Sequence, residues 1–169
     1  MNGLIERLTP FCNQLFEAAI NSPAEVILSG ANYDFTFTVP DMVEQLVVPV
    51  LRRQSEIAHA KGKFVASHTD GENQMLLEKY VAAGFDIADS ICPAPMTKIS
   101  LKETREIFNG QLTIWGGIPS VAMLKNSMTD MDFCQLVDET LEVIGKGDHM
   151  IISVADTLPP AADFNRLLY

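Results

Sequence analysis

One histidine and two carboxylates follow a short apolar run in the first half of the chain. Residues 64–66 are Phe-Val-Ala, and His68, Asp70 and Glu72 come shortly after them. In an extended segment, the H-x-D spacing lets the side chains of His68 and Asp70 point the same way. A neutral imidazole beside a carboxylate suits zinc, and also iron or manganese. The stretch therefore predicts that His68 and Asp70 are metal ligands.

Simpler interpretations of the same residues stay open. A histidine at the end of a strand is equally compatible with a hydrogen-bonded polar residue that binds nothing. Thr69 and Glu72 have the spacing of a helix-capping box, in which Glu72 would satisfy a backbone amide. Asp34 would serve as well to cap a loop, and Asp156 to fix a turn before Pro159.

Polar residues and glycines also follow the other predicted strands. In parallel α/β folds, ligands lie at the carboxyl ends of strands, because loops and helix N-termini converge there. This rule selects Asn32, Tyr33 and Asp34, then Asp89, Ser90 and Cys92, then Trp115, Gly116 and Gly117, and finally Asp156. Among them, we expect substrate contacts from Asn32, Tyr33, Trp115, Gly116 and Gly117. Trp115 is also compatible with a core aromatic, and the two glycines with a tight turn.

The elements that must position these residues alternate between strand and helix. Short β-rich runs predict strands at 25–29, 64–68, 86–90, 112–115 and 150–154, and amphipathic patterns predict helices at 2–21, 40–60, 72–83, 101–108, 119–125 and 130–145. Ser100 with Glu103, and Thr129 with Asp132, fit capping boxes. Pro49 lies inside a periodic segment and should kink or divide it. This alternation predicts one α/β domain over residues 1–169, with a parallel sheet covered by helices.

The composition excludes several functions. The chain has 169 residues, 47% of them hydrophobic, and a net charge of −10, which would repel nucleic acid. Its longest apolar runs are far shorter than the roughly 20 residues of a membrane span. Three separated cysteines without a CxxC pair are typical of reduced thiols, and the first residues lack the apolar core of a signal peptide. We therefore expect a cytoplasmic protein.

Taken together, the strand ends resemble a known superfamily. The segments FVASHTDGEN, GFDIADSICPAPM, LTIWGGIPS and MIISVADTLPPAADFNRL are similar to the C-terminal half of the uroporphyrinogen decarboxylase superfamily, which includes zinc-dependent methyltransferases that work with corrinoid proteins and coenzyme M. The helix with an internal proline, MVEQLVVPVLRR, fits as well. The similarity covers nearly all of the chain from about residue 22 onward.

The resemblance implies a partial TIM-like (β/α) barrel. Such a barrel closes with eight strands, whereas only about five parallel strands are predicted here. The chain would then lack an N-terminal half, or its open sheet would be completed by oligomerisation. We favour a homo-oligomer, most simply a symmetric dimer, because exposed sheet edges invite pairing.

The resemblance also implies a metal site. In the methyltransferase branch, zinc is held by a His-x-Cys pair and by a cysteine after the last strand. His68 matches the histidine, while Asp70 and Asp156 stand where the two cysteines would be. The implied ligand set is therefore His68, Asp70 and Asp156, which is harder than a thiolate set and less selective for zinc. Asp34 and Glu72 are then the residues expected to handle protons in catalysis.

Three functions are compatible with these patterns. The first is a methyltransferase-like enzyme, in which a metal activates a nucleophile and a corrinoid protein is the partner. The second is a uroporphyrinogen decarboxylase-like lyase fragment that is inactive alone, since the essential aspartate and arginines of that branch belong to the half that is absent here. The third is a non-catalytic binding or assembly module.

Overall fold

Five short strands form one parallel sheet. The computed structural model describes residues 2–169, with Asn2 described by its backbone only. The strands are β1 (Val26–Gly30), β2 (Phe64–His68), β3 (Ile87–Ile91), β4 (Thr113–Ile118) and β5 (Met150–Val154). They lie side by side in chain order, and every neighbouring pair is parallel. The predicted α/β fold with five parallel strands is confirmed, and the unreversed strand order is consistent with part of a (β/α) barrel.

Helices connect the strands, as parallel pairing requires. They are α1 (Asn2–Ile20), α2 (Pro40–Met42), α3 (Val48–His59), α4 (Leu77–Ala83), α5 (Leu101–Phe108) and α6 (Asp130–Ile144). Both predicted capping boxes form, at Ser100 with Glu103 and at Thr129 with Asp132. None of the helices within residues 2–169 combines the length and apolar character needed to cross a membrane.

The predicted helix at 40–60 is divided before Pro49. A π-helical turn, Val43–Val47, separates α2 from α3, and Pro49 lies in the first turn of α3. A proline is tolerated there because the first amides of a helix have no intrahelical acceptor. The break expected at this proline is therefore confirmed. The wider π-helical turn that precedes α3 accommodates it.

Two helix predictions are wrong in extent. The predicted helix at 72–83 begins only at Leu77, because the Asn73 amide donates to the carbonyl groups of Thr69 and Gly71 and holds the preceding residues in a loop. The predicted helix at 119–125 is a short 3-10 helix, Ser120–Met123, that ends where Leu124 is extended. In the first of these segments, side-chain hydrogen bonds replace the regular helical ladder.

The core lies between the sheet and its covering helices. Val65, Ala88 and Ile114 on the central strands are completely or almost completely buried there. Tyr80 of α4 and Phe108 of α5 are buried against the same layer. This packing fixes the central strands and therefore the positions of the loops at their carboxyl ends.

The opposite side of the sheet is uncovered over much of its area. Val26, Leu28 and Phe64, side chains of this face, are 41%, 62% and 53% exposed, and Trp115 is 38% exposed. The strand register places them on one face. Val26 pairs with Phe64, and Trp115 pairs with Asp89, which in turn pairs with His68 on the same strand and face as Phe64. We call this surface the open face. It is the side that would line the interior of a completed barrel, and completion by an oligomer stays a prediction.

Candidate metal site

His68, Asp70 and Asp156 come together at the carboxyl end of the sheet. One potential ligand atom from each of them lies within 4.8 Å of the other two. Their strands β2 and β5 are three positions apart, which is about 14 Å in a flat sheet. The sheet and its loops therefore curve so that separate strand ends converge. The sequence predicted this group of residues.

His68 is held by the neighbouring strand. Its Nδ1 atom lies 2.7 Å from Oδ2 of Asp89, the residue that pairs with it in register. A neutral imidazole carries one N–H, so the acceptor at Asp89 favours the proton on Nδ1. The Nε2 lone pair then remains available for a cation.

Asp70 is destabilised in its charged form. Burial contributes most to raising the pKa of this carboxyl group, and the charge of Asp156 raises it further. The backbone amide of Gly71 and the nearby His68 oppose the shift, while Asp34 adds to it. Because two carboxylates repel each other here, a bound cation would relieve the repulsion.

Asp156 is presented from a strained backbone. It has a left-handed conformation, with φ of 58°, which few residues other than glycine adopt. The preceding residue, Ala155, is buried and donates its amide to the Ile118 carbonyl group at 2.7 Å. The end of β4 thus fixes the turn that directs Asp156 to the other ligands. Such strain is concentrated at functional sites in proteins.

The two predicted catalytic carboxylates have loop-forming contacts. Asp34 accepts hydrogen bonds from the Thr36 hydroxyl and amide and from the Glu72 amide, and these lower its pKa, the Thr36 hydroxyl most. Glu72 accepts from the amides of Gln74 and Lys98. The capping box expected for Thr69 and Glu72 does not form. Neither carboxylate belongs to the three-residue cluster, and their catalytic role stays a prediction.

The predicted substrate-binding residues lie in different environments. Asn32 lies at the site, where its amide donates to Asp70 Oδ2 at 3.0 Å. Tyr33 is largely buried, with its ring 6.2 Å from that of Tyr80. Trp115 lies on the open face beside Asp89. Of the five residues, Asn32 and Trp115 are therefore the two placed to meet a ligand at this end of the sheet.

The two predicted substrate-binding glycines permit close packing. A Cβ atom on Gly116 would lie 2.5 Å from the carbonyl oxygen of Ile91. A Cβ atom on Gly117 would lie 2.7 Å from the end of the Met150 side chain. A contact between the backbones of β3 and β4 thus explains Gly116, and any substrate contact of the pair stays a prediction.

No protein-family model, curated protein or solved structure matches this chain. The superfamily inferred from resemblance therefore stays a prediction.

The donor set fits a divalent cation. One imidazole nitrogen and two carboxylate oxygens suit zinc, iron or manganese, with bonds of about 2.0–2.2 Å to zinc. A tetrahedral ion would hold these atoms about 3.3 Å apart, so the ligand atoms would move closer by up to about 1.5 Å from the 4.8 Å limit. Cys92 lies nearby, where burial and then the charge of Asp70 raise the pKa of its thiol to about 12. Its sulfur is not among the clustered ligand atoms of the described residues, so three protein ligands would leave one position of a four-coordinate ion free.

The sequence patterns predict no role for Asp89. They place Asp89 at the end of a strand, but the contact that matters joins side chains of two neighbouring strands. One feature of the sequence indicates that these residues are close: His68 and Asp89 both lie near the carboxyl ends of consecutive predicted strands. Only the register between those strands decides that the two side chains meet.

Proposed function

We propose that this chain binds one divalent cation, zinc in the first instance, through His68, Asp70 and Asp156, and that the cation activates a nucleophile for methyl transfer. The observation that carries the proposal is the convergence of the three potential ligand atoms to within 4.8 Å of one another. The methyl-transfer chemistry comes from the resemblance, which also suggests a corrinoid carried by a partner protein.

The arrangement suits activation of a thiol or hydroxyl group. A divalent cation lowers the pKa of a thiol or hydroxyl group that binds to it. Asp70 and Asp156 would balance the two positive charges, and neutral His68 would complete the site. A methyl-corrinoid carried by the partner would supply the methyl group: the thiol sulfur would form the new bond to carbon, the electron pair of the cobalt–carbon bond would stay on cobalt, and the thiol proton would leave to solvent.

The local charge favours this proposal over decarboxylation of a polycarboxylate. Besides the two carboxylate ligands, Asp34 and Asp89 add negative charge beside the site. Within residues 2–169, no lysine or arginine side chain makes a hydrogen bond or ion pair with any of these four carboxylates. A substrate with several carboxylates would therefore be repelled unless another chain supplied cationic groups.

We also propose that a second copy of this chain completes the sheet. Val26, Leu28 and Phe64 lie close together on the open face, and β1 and β5 are edge strands. Contiguous exposed apolar residues beside a free strand edge favour self-association. If a different polypeptide covers this face, the purified chain will be monomeric across the micromolar range in mass measurements. A dimer that Leu28→Asp dissociates supports the proposal.

Zinc titration of the metal-free protein tests the metal site. The expected result is one zinc ion per chain, with affinity reduced at least about 100-fold in His68→Ala and in Asp156→Ala. His59→Ala is a matched control, because His59 also pairs with an aspartate, Asp86, at 2.9 Å. Absence of zinc binding, or equal losses in His59→Ala and His68→Ala, contradicts the proposal.

The chemical step needs a separate measurement. Methylcobalamin and small thiols serve as substrates, and the loss of the cobalt–methyl absorbance reports transfer. Zinc-loaded protein should accelerate this loss, and His68→Ala should not. If zinc binds as described but no thiol is methylated, the site is a metal site of another function.

A further inference from the structure

Asp89 connects β3 to the segment that contains two of the proposed ligands. Its carboxylate contacts His68 Nδ1 at 2.7 Å. Its backbone carbonyl group accepts two hydrogen bonds from Thr69, one from the amide at 2.8 Å and one from the hydroxyl at 2.7 Å. Thr69 is completely buried and lies between His68 and Asp70. One residue of β3 therefore holds both the imidazole ring and the backbone that leads to Asp70.

A bulge in β3 follows Asp89. The register with β4 passes from Asp89 opposite Trp115 to Ile91 opposite Gly116, so Ser90 is an extra residue. Ser90 has a left-handed conformation, with φ of 66°. The bulge brings the backbone of Ile91 close to Gly116. A Cβ atom on Gly116 would lie 2.5 Å from the Ile91 carbonyl oxygen. Bulges of this kind redirect side chains near functional sites.

We infer that Asp89 is the positioning residue of the metal site, which it serves by fixing the tautomer and orientation of the His68 ring. The inference rests on the proposed metal-binding function. The Asp89 carboxylate accepts the Nδ1 proton, so Nε2 keeps its lone pair for the cation. A carboxylate in this position also makes the imidazole a stronger donor to a metal, and removing such a partner reduces metal affinity by about 10–100-fold.

A second histidine–aspartate pair provides the comparison within the same chain. His59 Nε2 lies 2.9 Å from Asp86 Oδ2, and Asp86 also accepts from the Val65 amide at 2.8 Å. This pair lies at the amino end of β3 and does not belong to the metal-ligating cluster. Both positions therefore hold an imidazole ring paired with an aspartate. Asp89 differs from Asp86 because its histidine is a proposed metal ligand.

Two readouts on the complete chain test the inference. In metal-free wild-type protein, the ¹⁵N chemical shifts of His68 should report the Nδ1–H tautomer. In Asp89→Asn the ring should lose this preference, and zinc affinity should fall about 10–100-fold. Asp89→Glu should recover part of the affinity. Asp86→Asn should leave zinc affinity unchanged.

The outcomes separate this inference from the proposed function. If the wild type binds no zinc, the metal-site proposal fails, and the inference that depends on it fails too. If the wild type binds zinc and Asp89→Asn binds it equally well, only the inference is overturned. An Nε2–H tautomer in the metal-free wild type also overturns it, and this measurement does not need a variant that folds.

Discussion

Asp70 and Asp156 bring two carboxylates together from the ends of strands that are three positions apart. Burial and then the charge of Asp156 raise the pKa of Asp70, and within residues 2–169 no lysine or arginine side chain makes a hydrogen bond or ion pair with either carboxylate. Without a cation, the charged form of Asp70 is therefore disfavoured in the folded protein at neutral pH. Such a cost at an empty site is expected where binding function has been favoured over stability.

Asp70→Asn should therefore stabilise the metal-free protein. The raised pKa means that the penalty exists when Asp70 is charged, so it is present at neutral pH and disappears below the ordinary aspartate pKa of about 3.9. We expect the midpoint of thermal unfolding to rise by about 1–3 °C at pH 7 and to be unchanged near pH 3. Asp148→Asn, at an exposed position, is the control. A lower midpoint for Asp70→Asn at pH 7 would contradict the electrostatic account.

Cys92 should be almost unreactive in the folded protein. Burial and the charge of Asp70 raise its pKa to about 12, so only about one thiol in ten thousand is ionised at pH 8. Cys12 is exposed and should react with iodoacetamide at least 100-fold faster. Asp70→Asn should speed alkylation of Cys92 by removing the nearby charge. Mass spectrometry of the labelled peptides measures all three rates, and equal rates at Cys12 and Cys92 would refute the prediction.

Gly116→Ala should destabilise the fold more than an alanine at an unhindered glycine. The new methyl group would lie 2.5 Å from the Ile91 oxygen, and φ is 145°. We expect a loss of about 3 kcal/mol in the free energy of unfolding. At Gly147, with φ of 84° and no heavy atom within 4 Å of the added carbon, backbone strain alone should cost about 1 kcal/mol. Urea titrations measure both variants. Similar losses in the free energy of unfolding would rule out the close contact between Gly116 and the Ile91 oxygen.

Arg166 should anchor the C-terminal segment. Its guanidinium group donates to the carbonyl groups of Ala122, Leu124 and Met128 and to Asp130, and its side chain is almost completely buried. A lysine keeps the charge but loses the planar set of donors. Arg166→Lys should therefore lower the free energy of unfolding by about 2–3 kcal/mol.

The control for this substitution is Arg53→Lys, at an exposed position without a hydrogen bond among the described contacts. It should be neutral within about 0.5 kcal/mol. If Arg166→Lys is equally neutral in urea unfolding, the four contacts of the guanidinium group contribute nothing measurable.

The sequence was sufficient to predict the strands and the three residues that converge at the carboxyl end of the sheet. Each predicted strand agrees with its observed counterpart within a residue or two at most ends, because short apolar runs bounded by turn residues define buried strands. His68 and Asp70 were predicted from their spacing, and Asp156 from the resemblance. The convergence of strand ends follows from the α/β arrangement, so these three could be expected to meet.

What the sequence could not provide depends on contacts between distant residues. The role of Asp89 requires the register between β2 and β3, and that of Gly116 requires the bulge opposite Ile91. The loop before Leu77 depends on the hydrogen bonds of Asn73. Sequence patterns alone carry no information about such contacts between distant residues, so they do not predict these features.

Anomalous X-ray diffraction from zinc-soaked crystals tests the central claim most directly. The account predicts one strong peak about 2.0–2.2 Å from His68 Nε2 and from a carboxylate oxygen of each of Asp70 and Asp156. A crystal with full zinc exposure and no peak at these three residues, or with its strongest peak at His59 and Asp86, would contradict it.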